Sequence, residues 1–406
     1  MPVVNSYILI IAACLLVIVS YLFNLISKKT GIPSVLMLLI SGIVVREVLK
    51  YTGNSFAIPT SMVELFGILG LIMIILEAGL DLSISKKKLR LVRNAFFSSL
   101  VILVFSTLIV SAFLFYYLKE DYLNCLIYAI PLSVVSSAIV IPSISHLGET
   151  KKEFLVYETS FSDILGILLF NYMIAGNLLQ GSNITWFFAS IVLSLIVSFV
   201  LSLLVLFMLT RIKTNVRFFL VFAVLIFLYA GGKMLHLPAL FIILLFGLIV
   251  SNWQLKIFDR WQRLIPYQKV NSISHLLHSL TAESSFLIRT FFFFIFGLTI
   301  DVRLLADIEV ILAGSTIVLS LLVIRYIYLR FFLRAHIFPE LFFMPRGLIT
   351  ILLFYSIPQV HQLSKFNEGI LFFIILVTSV IMMIGSVAYG KPVIETINEE
   401  EPLTDN

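Results

Sequence analysis

Charge is scarce in this sequence. Only 12% of its 406 residues are Asp, Glu, Lys or Arg, against 60% hydrophobic and a mean hydropathy of +1.10. Such a chain cannot cover a soluble surface, and it reads as a polytopic membrane protein. Cysteine is nearly absent: Cys14 and Cys125 both fall within apolar stretches, which excludes a disulfide framework. No Gly/Ser-rich or charged linker of domain-separating length interrupts the chain. No Walker A or dinucleotide-binding glycine pattern is present, which excludes an ATP-driven pump. No GxSxG or His-carboxylate zinc motif marks a membrane hydrolase, so neither an enzyme nor a cofactor is expected. The six histidines lie in loops or at span edges. His275 and His278 are a helical turn apart without a Cys or carboxylate partner, and no metal centre is expected there. The first apolar span has no basic leader or small-residue cleavage site and is expected to be a retained helix.

What remains is a series of about thirteen apolar spans of membrane-crossing length. They lie near 5–27, 32–50, 62–83, 95–118, 122–145, 154–178, 184–210, 217–234, 237–253, 283–302, 308–330, 340–358 and 367–390. The net charge of +6 is no nucleic-acid footprint, because the basic residues sit in short loops between these spans. They favour alternate loops: Lys28–Lys29, Lys86–Lys88 with Arg90 and Arg93, Lys151–Lys152, Arg211 with Lys213 and Arg217, Lys256 to Lys269, and Arg330 with Arg334. By the positive-inside bias the N-terminus is then outside and the C-terminus inside, as an odd number of spans requires. The 254–282 stretch, the longest connection on that side, reads either as an interfacial amphipathic segment or as a solvated loop. One transmembrane domain over 1–390 and a short acidic tail over 391–406 account for the chain.

The most informative stretch runs from Lys152 to Leu178. It is apolar enough to cross a bilayer, yet its middle holds Glu158, Thr159, Ser160, Ser162 and Asp163. A carboxylate at membrane depth is costly and marks a functional position by default. Glu158 and Asp163 differ by about 7.5 Å of helical rise. Thr159, Asp163 and Gly166 share one face, and Glu158 shares another with Ser162.

A short internal echo suggests a repeat. Gly79-Leu80-Asp81 ends the third span, and Gly297-Leu298 with Asp301 ends the tenth. An offset of seven spans reverses direction, as in an inverted-topology repeat. Each half also holds an interrupted span. Pro131 and Pro142 flank Ser136-Ser137 in the fifth, and Pro345-Arg346-Gly347 opens the twelfth. Freed backbone groups at matching positions of two halves point to an ion site near the midplane. Arg325, inside the eleventh span, needs an anion, and Glu158 is the obvious candidate. Arg289 reads equally well as an interfacial residue or as a buried one.

Taken together these segments resemble the monovalent cation:proton antiporter superfamily, in its sodium/proton exchanger branch. Glu158-Thr-Ser-Phe-Ser-Asp163 is similar to the E-S-x-x-N-D signature of that branch. LEAGLDLSISKKKLR at 76–90 and FGLTID at 296–301 resemble its two glycine-leucine-acidic turns. Arg325 falls on its basic residue before the second crossover, and Arg346-Gly347 on the R-G of that crossover. Two positions depart from the pattern: Ser162 stands where Asn or Asp is common, and Ser137-Ala138 where Thr-Asp or Ser-Thr is common.

The resemblance implies an all-α fold of two inverted repeats with crossed broken helices, and a homodimer in the inner membrane of a bacterium. It implies a mobile core around 95–178 and 308–390 and a dimerisation scaffold from the remaining spans. It also implies antiport of a monovalent cation, sodium first and potassium or lithium next, for a proton. In that reading Asp163 holds proton or cation in turn, with Ser136, Ser137, Thr159 and Ser162 near it as oxygen ligands. Glu158 and Arg325 brace the site, and exchange is electroneutral. The competing reading is a sensor or an uncoupled channel that keeps the fold.

Overall fold

The structure, a computed structural model, describes residues 6–52, 60–82, 88–144, 147–174, 181–211, 217–234, 239–255, 258–262, 265–333 and 337–389. The acidic tail and Lys86, Lys87, Lys213, Lys256, Arg263 and Arg334 lie outside the described residues. Among the described residues there is no strand. The helices are α1 (Ser6–Thr30), α2 (Ser34–Tyr51), α3 (Thr60–Asp81), α4 (Leu89–Leu118), α5 (Tyr122–Ser133), α6 (Ser137–Ser143), α7 (Glu149–Ile174) and α8 (Gly181–Arg211). They continue as α9 (Arg217–Met234), α10 (Ala239–Ser251), α11 (Asp259–Gln262), α12 (Tyr267–Thr299), α13 (Val302–Leu305), α14 (Ile308–Ile327), α15 (Leu348–Tyr355) and α16 (Glu368–Tyr389). A π-turn, Tyr328–Leu333, extends α14.

One expectation needs correction. The tenth span does not begin near 283: α12 starts at Tyr267 and takes in most of the expected 254–282 connection. Its first half is too polar to read as a membrane span. It nevertheless buries Val270, Ile273, Leu277 and Thr281 at helical spacing, the pattern of an amphipathic helix packed on a bundle. Described residues at the start of that connection also pack together: Trp253 is fully buried, stacked on Phe258 at 5.0 Å, and donates to the Ile265 carbonyl at 3.2 Å. The fifth span is interrupted between its two prolines, as expected. Pro131 lies inside α5 and Pro142 inside α6, and the break falls between them at 134–136.

The inverted repeat is visible at two glycine crossings. In one, Gly79 of α3 meets Gly247 of α10; in the other, Gly297 of α12 meets Gly42 of α2. A Cβ on Gly79 would lie 2.6 Å from the Leu244 carbonyl oxygen and 3.1 Å from the Gly247 Cα. A Cβ on Gly297 would lie 3.1 Å from the Gly42 Cα, and closer still to the Leu39 carbonyl. Each glycine thus faces the partner glycine and the carbonyl three residues before it. The polar groups one turn further on also correspond. Ser251 donates to the Leu80 carbonyl at 2.6 Å, and Arg46 to the Thr299 carbonyl at 2.9 Å. The aspartates of the echo tie off both ends, Asp81 to His278 at 2.5 Å and Asp301 to Arg46 at 3.4 Å. Small residues let helix backbones approach where apolar packing cannot discriminate protein from lipid.

Around this frame α4 packs on α5 and α7, and α14 on α16 and α4, with the broken segments enclosed among them. α5 and α6 are almost wholly buried along their length.

The glycine crossings yield a direct test. Gly79→Val or Gly297→Val forces backbone apart and should lower stability by about 1–3 kcal/mol, the usual cost of overpacking. Gly231→Ala in α9, where an added Cβ meets nothing within 4 Å, should be neutral or slightly stabilising. Thermal unfolding in detergent of the three variants checks the ranking.

A candidate ion-binding site at the crossing of two broken helices

The site forms because two chains cross without helix at one level. α5 ends at Ser133, residues 134–136 run extended, and α6 restarts at Ser137. From the other half, residues 343–347 run non-helical into α15. The two meet through the Ser136 N–H, which donates to the Pro345 carbonyl at 2.9 Å. Gly347 permits the approach, since a Cβ there would lie 2.7 Å from Ser136 Oγ and 2.6 Å from Ile139 Cδ1.

Arg346 satisfies the freed end of α5. Its side chain is fully buried, and Nε donates to the Leu132 carbonyl at 2.9 Å, Nη2 to Ser133 at 3.2 Å and Nη1 to Met344 at 2.6 Å. The Leu132 and Ser133 carbonyls belong to the C-terminal end of α5, where the macrodipole is negative and a cation is favoured. Its own N–H donates to Thr378 Oγ1 at 3.1 Å, anchoring the crossing to α16.

α7 lends its polar middle to the same break. Ser162 Oγ accepts from the Val135 N–H at 3.0 Å. Asp163 Oδ2 accepts from the Ser137 N–H at 3.2 Å and from the Ser137 hydroxyl. One turn on, Gly166 leaves room for Val134 of the break. Asp163 is buried, and its second oxygen, Oδ1, receives no hydrogen bond from the described residues. Ser136 Oγ is likewise buried without a partner. Thr159 gives its hydroxyl proton to the Leu155 carbonyl at 2.8 Å, which keeps its lone pairs free.

Glu158 is bound quite differently. Arg325 grips both of its oxygens, Nη2 to Oε2 at 2.7 Å and Nη1 to Oε1 at 3.3 Å, and Ser98 of α4 adds a hydroxyl to Oε1 at 2.5 Å. Both charged side chains are essentially inaccessible. Arg325 Nε donates to the Glu340 carbonyl at 2.9 Å, which fixes the guanidinium from a further side. Bidentate, charge-assisted bonds of this kind are the strong class.

The structure therefore brings Ser136, Ser137, Ser162 and Asp163 together, joins Glu158 to Arg325 a turn away, and sets Arg346 and Gly347 on the crossing chain. Sequence reasoning missed Ser98, the Glu340 carbonyl and Thr378. Ser98 had a faint signal, as one of the small polar residues Ser98, Ser99, Ser106, Thr107 and Ser111 that α4 buries. Two charged pairs were also unforeseen. Arg289 faces Glu77 across α12 and α3, 3.8 Å apart and mostly buried, which decides against an interfacial arginine. His278 does have a carboxylate partner, Asp81, although no group of three or more metal-binding side chains occurs among the described residues.

The oxygens gathered at Asp163 suit a hard cation or a proton, without the soft ligands that select transition metals. Comparison with known proteins agrees with that chemistry. The family described as "Sodium/hydrogen exchanger, transmembrane" matches residues 14–389. Among solved structures, that of the sodium proton antiporter MjNhaP1 from Methanocaldococcus jannaschii at pH 8 superposes with a TM-score of 0.67 at 18% identity, covering 95% of this chain and 99% of that one. An electron-microscopy structure of the same antiporter gives 0.65 at 18% identity, covering 95% of each. At that identity the likeness concerns the fold. No curated protein sequence matches.

Breaking the buried pair from one side should be costly. Glu158→Gln or Arg325→Gln alone leaves an uncompensated group and should destabilise by about 3–5 kcal/mol. The double variant should lose clearly less than the sum, since the two residues share one interaction. Thermal unfolding of the four proteins closes the cycle, and additive losses would contradict the contact.

Proposed function

Since the chain belongs to the sodium/hydrogen exchanger family, we propose that its cation/proton antiport runs through Asp163, where proton and monovalent cation compete for one carboxylate. The observation that carries this is the unequal treatment of two neighbouring acids. Glu158 has both oxygens filled by Arg325 and Ser98, which holds it as a fixed anion. Asp163 has one oxygen filled and one unfilled, at a position too buried to stay ionised and bare. A group in that position is held neutral either by a proton or by a cation.

The cycle follows from this requirement. Facing one side, Asp163 exchanges its proton for a cation, with Ser136, Ser137, Thr159 and Ser162 and the carbonyls of the break as further oxygen donors. Facing the other side, it makes the reverse exchange. The unloaded anion is the costly state, so only loaded forms cross, and that is what couples the two fluxes. We read Na⁺ as the carried cation, with Li⁺ and K⁺ as competitors, and the chain as a transporter rather than an enzyme. The moving part is read as α4–α7 with α14–α16, against a scaffold of the other helices. The charge bias of the loops supports an N-terminus outside and a C-terminus inside, in a bacterial inner membrane. A homodimer is the expected assembly; α1, which turns Ile11, Leu15, Ile18 and Leu22 outward, offers apolar surface for it or for lipid.

One titrating carboxylate makes the exchange electroneutral. Glu158 keeps its charge throughout, and Ser162 cannot ionise where a second acid would. Asp163 is neutralised by one proton or by one monovalent cation. In proteoliposomes under fixed gradients, the exchange rate should therefore be the same at zero and at large imposed membrane potential. A net charge moved would be worth about 2.3 kcal/mol per 100 mV, so a potential-dependent end-point would reveal a second titrating group.

Asp163→Asn keeps the volume but cannot trade a proton for a cation. It should abolish cation-dependent pH change in proteoliposomes while leaving the protein folded. Coupled exchange surviving in that variant would rule out the assigned site, and an uncoupled conductance in the wild type would favour a channel.

A further inference from the structure

The strongest feature outside the ion site is a pair of tethers at opposite ends of the broken helices. At one end, Glu120 sits between α4 and α5. Its Oε1 accepts from the Lys365 N–H at 2.8 Å and the Ser364 hydroxyl at 3.1 Å, and its Oε2 from the Ser364 N–H at 3.1 Å. Beside it, His361 Nδ1 lies 2.9 Å from Asn124 Oδ1, and the Leu363 N–H donates to the Tyr128 hydroxyl at 3.2 Å. The Tyr128 ring packs on Phe354 and Phe366, at 5.4 and 4.9 Å. The whole connection between α15 and α16 is thereby held on the start of α5.

At the other end, Lys151 near the start of α7 donates to the Phe338 carbonyl at 2.7 Å and lies 3.6 Å from Glu340 Oε2. The repeat relates these two places. The turn between α4 and α5 corresponds to the segment between α14 and α15, and the α6–α7 connection to that between α15 and α16. In each case the turn before one broken helix is tied to the connection after the other: in one a turn carboxylate accepts from amides of the connection, in the other a lysine near the connection donates to a carbonyl of the turn.

We propose that Glu120 is a positioning residue for transport: it clasps the α15–α16 connection to the α4–α5 turn, and the clasp stays closed through the whole cycle. This rests on the assignment of Asp163 as the exchanging group. The physical reason is the shortness of α15. It runs only from Leu348 to Tyr355, with the crossing peptide at its start and the clasped connection after its end. Fixing its far end on α5 fixes its axial position. The Pro345 carbonyl then stays on the Ser136 N–H, and Ser137 stays on Asp163. Burial alone would raise the Glu120 carboxyl, but the amides of Lys365 and Ser364, the Ser364 hydroxyl and the Lys365 charge outweigh it and hold it below the ordinary carboxylate range. The anchor is therefore charged at neutral pH. Two of its three donors are backbone amides, whose loss a rotating side chain cannot make good.

The test uses the full chain in proteoliposomes, in a background with Cys14→Ser and Cys125→Ala. Glu120→Cys and Ser364→Cys are joined by a short bis-methanethiosulfonate bridge. Exchange should persist on bridging, with an apparent KM for the cation closer to the wild type than that of the unbridged variant, because the bridge restores a contact that never opens. Exchange that stops on bridging and returns on reduction would overturn the proposal, since the contact would then open in every cycle. Separately, in the native background, Glu120→Gln should raise the apparent KM for the cation by about tenfold through misplacement of the crossing, with Glu120→Asp partly restoring it. An unchanged KM, with only the yield of folded protein reduced, would overturn it as well. Wild-type exchange measured alongside separates failure of this proposal from failure of the antiport assignment.

Discussion

A charged group inside a bilayer must be matched by an opposite charge or by enough oriented dipoles, and most of the interior here is arranged to satisfy that rule. Glu158 is matched by Arg325, Glu77 by Arg289, and Arg346 by three backbone carbonyls. Asp163 is the exception: its Oδ1 has no partner among the described residues, and in the proposed cycle a proton or a cation supplies one. The polar machinery around the crossing can thus be divided by a single criterion. Charged groups with partners hold the frame, and the carboxylate with an unfilled oxygen is the one proposed to exchange. The serines of the break add donors and acceptors without adding charge.

The same rule explains the glycines. Helices that must sit close in lipid gain little from burying apolar area, since lipid is as apolar as they are. Contact between backbones then becomes the means of discrimination, and the Gly79–Gly247 and Gly297–Gly42 crossings supply it twice in inverted sense. The frame is built from residues that have nothing to put in the way.

Much of this could be read in advance, and what could not follows a pattern. The two intramembrane acids and Arg325 stood out because charge is conspicuous against apolar sequence, and their pairing followed from elimination. The repeat showed itself in Gly79-Leu80-Asp81 and its counterpart, because each residue has a duty at the crossing. Arg346 was legible as a position but not as a role, since its partners are the carbonyls of Leu132 and Ser133, which every residue possesses. Ser98 was nearly invisible among other serines. The extent of α12 was missed because hydropathy detects contact with lipid, while its first half contacts protein on one side and water on the other. The interruption of the fifth span was legible from Pro131 and Pro142, which flank it within α5 and α6.

The ion pair at the centre also has a consequence for how the protein is made. Glu158 and Arg325 are separated by 167 residues of chain, so α7 is synthesised long before the helix that neutralises it. Ser98, on α4, is already present and supplies one hydroxyl, but no positive charge. During assembly α7 therefore carries an unmatched carboxyl until α14 arrives. Arrival of Arg325 would then commit the second half to the first. The order of translation becomes a checkpoint, and a chain ending before α14 would carry an unmatched acid in its middle, a feature by which quality control could recognise it.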